Sequence, residues 1–141
     1  MKLQISSRIG LYAVLILAQD PSRQLSAADI AEIFDISLNH LAKVMRDLSR
    51  AGLVGAVRGA GGGYRFIGNP KRTTLFDVIS LFEPPDTALP GPRDSSPKNH
   101  IETGLASILG EIDALTWSTL QSVTIDTMLK IISRQERSRG D

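Results

Sequence analysis

The chain of 141 residues contains no cysteine. That excludes a disulfide scaffold, a zinc–thiolate site, a thiol nucleophile and an iron–sulfur cluster held by thiolates of this chain. No apolar run approaches the roughly 18 residues of a membrane span. The apolar stretch from Ile9 to Ala18 ends in Gln19-Asp20-Pro21, not in the small residues of a cleavage site, so it reads as a core helix of a cytoplasmic protein. Extreme charge and internal repeats are also missing: 16 Lys and Arg face 15 Asp and Glu, for a net charge of +1. Hydrophobic residues make up 42% and charged residues 22%, which argues against disorder of the whole chain. The length suits one domain with an appendage, long enough to bury a core without disulfides.

The near-zero net charge hides an asymmetry. Residues 1–80 hold ten basic and six acidic side chains, and residues 81–141 hold six and nine. A basic front half suits a chain that meets an anion with one end.

Along the chain, residues 7–19 read as a buried helix that Ser6 or Ser7 can cap. Asp20-Pro21-Ser22 is a turn, and Ser26 with Asp29 forms a capping-box-like start to a helix carrying Ile30, Ala31, Ile33 and Phe34. Asp35-Ile36 is a tight break. Ser37 caps the next helix, which runs to about Ala51 and stops at Gly52. Two helices joined by so short a turn make a helix-turn-helix. Strand-like segments at Leu53–Arg58 and Tyr64–Ile67 flank a glycine-rich turn and form a β-hairpin. Thr73-Thr74 caps a short helix through Phe82. Residues 83–99, with five prolines, read as a mobile loop. A helix over His100–Thr116, a break near Gln121–Val123, a last helix over Thr124–Arg134 and a fraying polar tail at 135–141 complete the chain.

On the helix after Ser37, the apolar positions Leu38, Leu41, Ala42, Met45 and Leu48 define a packing stripe. The opposite face carries Asn39, Lys43, Arg46 and Arg50, with His40 and Asp47 beside them. On an arbitrary helix such a face is simply solvated. On the second helix of a helix-turn-helix it is the face that enters the major groove. Asn39 and His40, near the N-terminus, reach base edges, and the cations beyond suit phosphates. Arg58 and Arg65 bracket the glycines, which let the backbone approach a partner closely. A nucleotide-binding loop does not fit, because no Gly-Lys-Ser/Thr is present and a strand follows the glycines where a helix is needed.

The run SLNHLAKVMRDLSRAGLV from Ser37 to Val54, then VRGAGGGYRF from Val57 to Phe66, then TLFDVI from Thr74 to Ile79, resembles the Rrf2 family of bacterial transcription regulators. Met1-Lys2-Leu3 and Gly10–Ala13 also look like that family. The resemblance is close over residues 1–82 and holds in pattern over 100–130. It implies a mainly α fold with a small β-hairpin: a winged helix-turn-helix domain at 1–82, the loop at 83–99, dimerisation helices at 100–134 and the tail. It further implies a homodimer on a palindromic double-stranded DNA operator, acting as a repressor. The DNA-binding set is then Ser37, Asn39, His40, Lys43, Arg46, Arg50, Arg58, Gly59, Tyr64 and Arg65. A small-molecule effector of unknown class would be a further partner.

Many members of that family hold an iron–sulfur cluster on three cysteines in the loop and the start of the dimer helix. Here the same stretch offers Ala88, Ser95, Ser96 and Thr103, whose hydroxyls do not replace thiolates on iron. Either the chain is of a cluster-free branch, which the irregular spacing favours, or cysteines have been substituted in it. The expected cofactor is none.

In the back half, Ile101, Leu105, Ile108, Ile112 and Leu115 recur at steps of four and three, the seam of a short coiled coil. Packing on the chain's own core is the commoner use of such a stripe; the resemblance favours a dimer interface. Trp117 reads as a packing anchor. His40 and His100 lie in different elements, no nucleophile motif frames any serine, and His100 with Glu102 or Asp94 makes a weak metal site. No enzyme and no metal are expected. The alternative to a DNA-binding regulator is a winged-helix protein-interaction module whose basic face meets an acidic partner.

Overall fold

A computed structural model describes residues 2–59, 61–83 and 94–140. Most of the expected loop, including Ala88, lies outside the described residues, as does Ala60 of the glycine turn. Among the described residues, six helices and a two-stranded antiparallel sheet follow in the order α1 (Ile5–Gln19), α2 (Ala27–Phe34), α3 (Leu38–Arg50), β1 (Val54–Val57), β2 (Gly63–Phe66), α4 (Leu75–Ile79), α5 (Pro97–Ser122) and α6 (Ile125–Gly140).

Helix α1 begins earlier than its serines suggest. Gln4 is its N-cap and makes no side-chain cap bond, so neither Ser6 nor Ser7 caps it. Both serines fall inside the first turn; Ser7 faces the core, and Ser6 turns toward α3. One face of α1 is buried through Ile9, Ala13, Val14, Leu17 and Ala18, whereas Ile5 and Tyr12 stay exposed. The helix is therefore less enclosed than its apolar content implies. It packs against α3, α4, α6 and β2, and so forms the centre of the core.

The local start signals are realised. The Asp29 N–H donates to Ser26 Oγ (3.0 Å) and the Ser26 N–H to Asp29 Oδ2 (3.0 Å), a full capping box. The Ser26 backbone and hydroxyl bonds hold the Asp29 carboxyl below its ordinary pKa. Asp35 then adopts φ 53°, left-handed backbone that Asp tolerates better than most residues, and closes the break between α2 and α3. Ser37 Oγ accepts from the His40 N–H and caps α3 (3.3 Å). Gly52, at φ 76°, ends it.

The buried side of α3 differs from the expected stripe. Leu41, Val44, Met45 and Leu48 are buried, while Leu38 and Ala42 are exposed. Both stripes satisfy helical periodicity; the elements packed on α3, which are α1, α2 and β1, select between them.

In the hairpin, Val54 pairs with Phe66 and Val57 with Gly63. Leu25 adds a third backbone to it: its N–H donates to the Tyr64 carbonyl (3.1 Å), and the Tyr64 N–H donates to its own (2.7 Å). A Cβ on Gly63 would stand 2.5 Å from the Leu25 carbonyl oxygen, a backbone atom already fixed by that bridge. Gly63→Ala is therefore expected to destabilise the protein by about 1–3 kcal/mol through overpacking. The check is urea denaturation, which should give a lower midpoint at an unchanged slope.

Helix α4 has its own capping box from Thr74 and Asp77, but it ends at Ile79, and residues 80–82 are turn. Helix α5 is longer than expected at both ends. Ser96 Oγ accepts the Asn99 N–H and Pro97 occupies the first turn, so the start signal lies inside the segment that its prolines had marked as loop. The helix passes Thr116 and reaches Ser122; Val123 forms the break, and α6 continues to Gly140 through most of the expected tail. Trp117 meets Phe76 of α4 edge to face, with ring centroids 5.5 Å apart, as a packing anchor does.

Candidate nucleic-acid interface

Two elements position the basic side chains. The buried row of α3 turns Asn39, Lys43, Arg46 and Arg50 outward, and all four are exposed. Among the described residues the ion pairs are Lys98–Glu102 and Lys130–Asp126, both within the C-terminal helices. The cations of α3 are thus not committed within the described chain. At about 1.5 Å of rise per residue, Asn39 to Arg50 spans roughly 16 Å of helix, which suits a groove more than a point contact.

The other expected residues sit differently. Ser37 gives one lone pair to the helix cap, and its hydroxyl hydrogen is left to donate. The His40 ring is half-buried, and its Nε2 shares a hydrogen bond with Ser6 Oγ (3.1 Å). That contact ties α1 to the N-terminus of α3 and places His40 on the flank of the face. Arg58 and Gly59 lie at the exposed end of β1, Gly59 with φ 106° and Gly61 with φ 76°. A side chain at either position would be strained. A Cβ on Gly62 would strike the Val57 carbonyl oxygen. The glycines therefore serve a tight turn beside Arg58. Arg65 is exposed at mid-strand opposite Gly55. Tyr64 is half-buried; its backbone bridges to Leu25 and its side chain packs on the core. Sequence reasoning missed the exposure of Leu38 and Ala42 on α3.

The second candidate surface is α5. None of its 26 residues is buried. Ile101, Leu105, Ile108, Ile112 and Leu115 are each more than half exposed, and Leu109 joins them. Beyond the seam, Thr116, Thr119 and Leu120 extend a shallow apolar groove from Ile112 and Leu115. At its start, Asp94 accepts from the Ser96 N–H (2.8 Å), and Ser96 holds that carboxyl below its ordinary pKa. No described helix is long and apolar enough to cross a membrane.

Known proteins share this fold. The model of the Rrf2 family, described as iron-dependent transcriptional regulators, matches residues 3–131. A Rhodopseudomonas palustris protein described as an HTH-type transcriptional regulator, BadM, is 53% identical over 137 residues, which is 97% of this chain and 86% of that one. The structure of CymR, the global cysteine regulator of B. subtilis, aligns with a TM-score of 0.76 at 26% identity, over 93% of this chain and 98% of the other. IscR of T. potens aligns with a TM-score of 0.75 at 28% identity, over 94% and 88%. Among the described residues no donor set fits the iron of the family's description. The chain has no thiolate, and among the described residues no three His, Asp or Glu side chains gather into a metal site. Whatever its signal, the chain belongs to the Rrf2 family of transcriptional regulators.

Proposed function

We propose that the protein is a sequence-specific DNA-binding repressor that grips a palindromic operator as a homodimer in the cytoplasm. The observation that carries this reading is the exposed row Asn39, Lys43, Arg46 and Arg50 on the second helix of the helix-turn-helix, without ion-pair partners among the described residues. Asn39, with Ser37 and His40 beside it, reads base edges. Lys43 reads a base or a phosphate, and Arg46 and Arg50 hold phosphates. Arg58 and Arg65 extend that grip through the wing, where Gly59 lets the backbone come close and Tyr64 anchors β2. The exposed aliphatic seam of α5 is the dimer interface, and the half-sites lie about 34–36 Å apart. A dimer bound across a promoter represses by excluding polymerase.

The test is a binding series on an operator recovered by selection from random duplexes. Asn39→Ala or His40→Ala should relax base preference by about 1–3 kcal/mol at the contacted base pair. Arg50→Ala or Arg58→Ala should weaken binding to every sequence and flatten the salt dependence. Parent-like binding by all four variants would contradict the assignment.

The lack of thiolates leads us to propose a cluster-free regulator. Anaerobically purified protein should be colourless, and its DNA affinity indifferent to nitric oxide and oxygen. Visible absorbance with stoichiometric iron would refute this.

A further inference from the structure

Leu38 and Ala42 are apolar residues that α3 leaves uncovered: Leu38 is 51% exposed, and Ala42 is exposed one helical turn further on. They occupy the edge of the basic face beside Asn39 and Lys43, opposite the flank where His40 bonds to Ser6. Leu38, in the first turn of α3, leaves about half of its surface uncovered. It costs a little solubility unless something apolar meets it. The major groove offers one such group, the 5-methyl of thymine. We propose that Leu38 and Ala42 form a methyl-reading edge that selects thymine in each half-site, next to the base addressed by Asn39. This inference rests on the reading of α3 as the DNA-recognition helix.

The geometry fits. Residues four apart on a helix hold their Cβ atoms about 5–6 Å from each other. Successive base pairs are about 3.4 Å apart along a strand. The two side chains therefore cover one thymine and its neighbour. Leu38 reaches the methyl, and the small Ala42 lets the helix settle close to the groove floor. Asn39 and Lys43 supply the hydrogen bonds on the adjoining strip, so the helix reads an apolar and a polar feature side by side.

The experiment uses an operator duplex recovered by selection with the intact protein. Each thymine is replaced in turn by deoxyuridine, which removes only the 5-methyl and keeps the base pairing. Fluorescence anisotropy gives the Kd for the parent, Leu38→Ala and Leu38→Met. The parent should lose about three- to fivefold at one thymine in each half-site, the effect of exposing one methyl-sized group. Leu38→Ala should bind the thymine and deoxyuridine duplexes equally at that position, and Leu38→Met should restore the difference. A parent whose affinity is flat across all deoxyuridine replacements overturns the proposal, as does a penalty that persists unchanged in Leu38→Ala. Sequence-selective binding that Asn39→Ala relaxes, together with a flat replacement series, sinks methyl reading alone. Selection that recovers no preferred sequence sinks methyl reading and the DNA-reading function together.

Discussion

Replacing Ile108 by Glu and Ile112 by Lys should turn the protein into a folded monomer and weaken operator binding by about 100-fold or more. Both residues are over half exposed, in a helix where nothing is buried. The charges therefore cost the single chain little; four residues apart on one helix, Glu before Lys even forms a weakly favourable pair. Across a dimer seam the same charges would be desolvated without matched partners, which costs several kcal/mol. Loss of the dimer then removes the second half-site. Two linked reading heads bind about 10²–10⁴-fold more tightly than one, because the second contact is intramolecular. Sedimentation and circular dichroism decide the point. A folded double variant that stays dimeric would place the interface elsewhere. An unfolded one would mean that α5 belongs to the chain's own core.

A second large effect is expected at Ile125, which lies far from the winged region in sequence but inside its core. It is fully buried and begins α6, and a short bridge beside it fastens the C-terminal helices down. The Leu75 N–H donates to the Val123 carbonyl (2.9 Å), the Ile125 N–H to Thr73 (2.9 Å) and the Asp126 N–H to Pro70 (2.9 Å). Ile125→Ala removes buried methyl groups where the surroundings are fixed by these bonds, so the cavity cannot collapse. The cost should be about 2–5 kcal/mol. That corresponds to a Tm lower by on the order of 10 °C. Ile101→Ala, at a position 70% exposed, should cost the single chain far less. A loss below about 1 kcal/mol at Ile125 would contradict its place in the core. By the same logic, a fragment ending at residue 82 lacks a core residue and should be markedly less stable than the whole chain.

That dependence was not legible in the sequence. The starts of α2 and α3 were, because their caps are local codes: the Ser26–Asp29 capping box and the Ser37 cap before Leu38 can be read without tertiary information. The Thr74–Asp77 box is of the same kind, yet the end of α4 at Ile79 carries no sharp stop residue, and its length was overestimated. The order of helix-turn-helix and hairpin was also local. What failed depended on distant partners. The Leu25–Tyr64 bridge and the Thr74–Thr124 bridge join segments about 40 and 50 residues apart. The buried row of α3 is rotated from the expected one by about 50°, at 100° per residue: among its neighbours α1, α2 and β1 it is Val44 that is buried and Ala42 that is exposed. Asn39, Lys43, Arg46 and Arg50 survived that rotation, since they lie nearly opposite the row that is buried. His40 keeps the flanking position expected of it, and its hydrogen bond there is to Ser6, a residue 34 positions away.

DNase footprinting on the promoter region of the protein's own gene, at physiological salt, tests sequence-specific recognition by α3 most directly. The account predicts a discrete protected stretch containing two inverted half-sites about one helical turn apart, with protection lost in Asn39→Ala at concentrations where the parent is saturating. Uniform weak protection along the fragment, or a footprint indifferent to Asn39, Lys43 and Arg46, would contradict it.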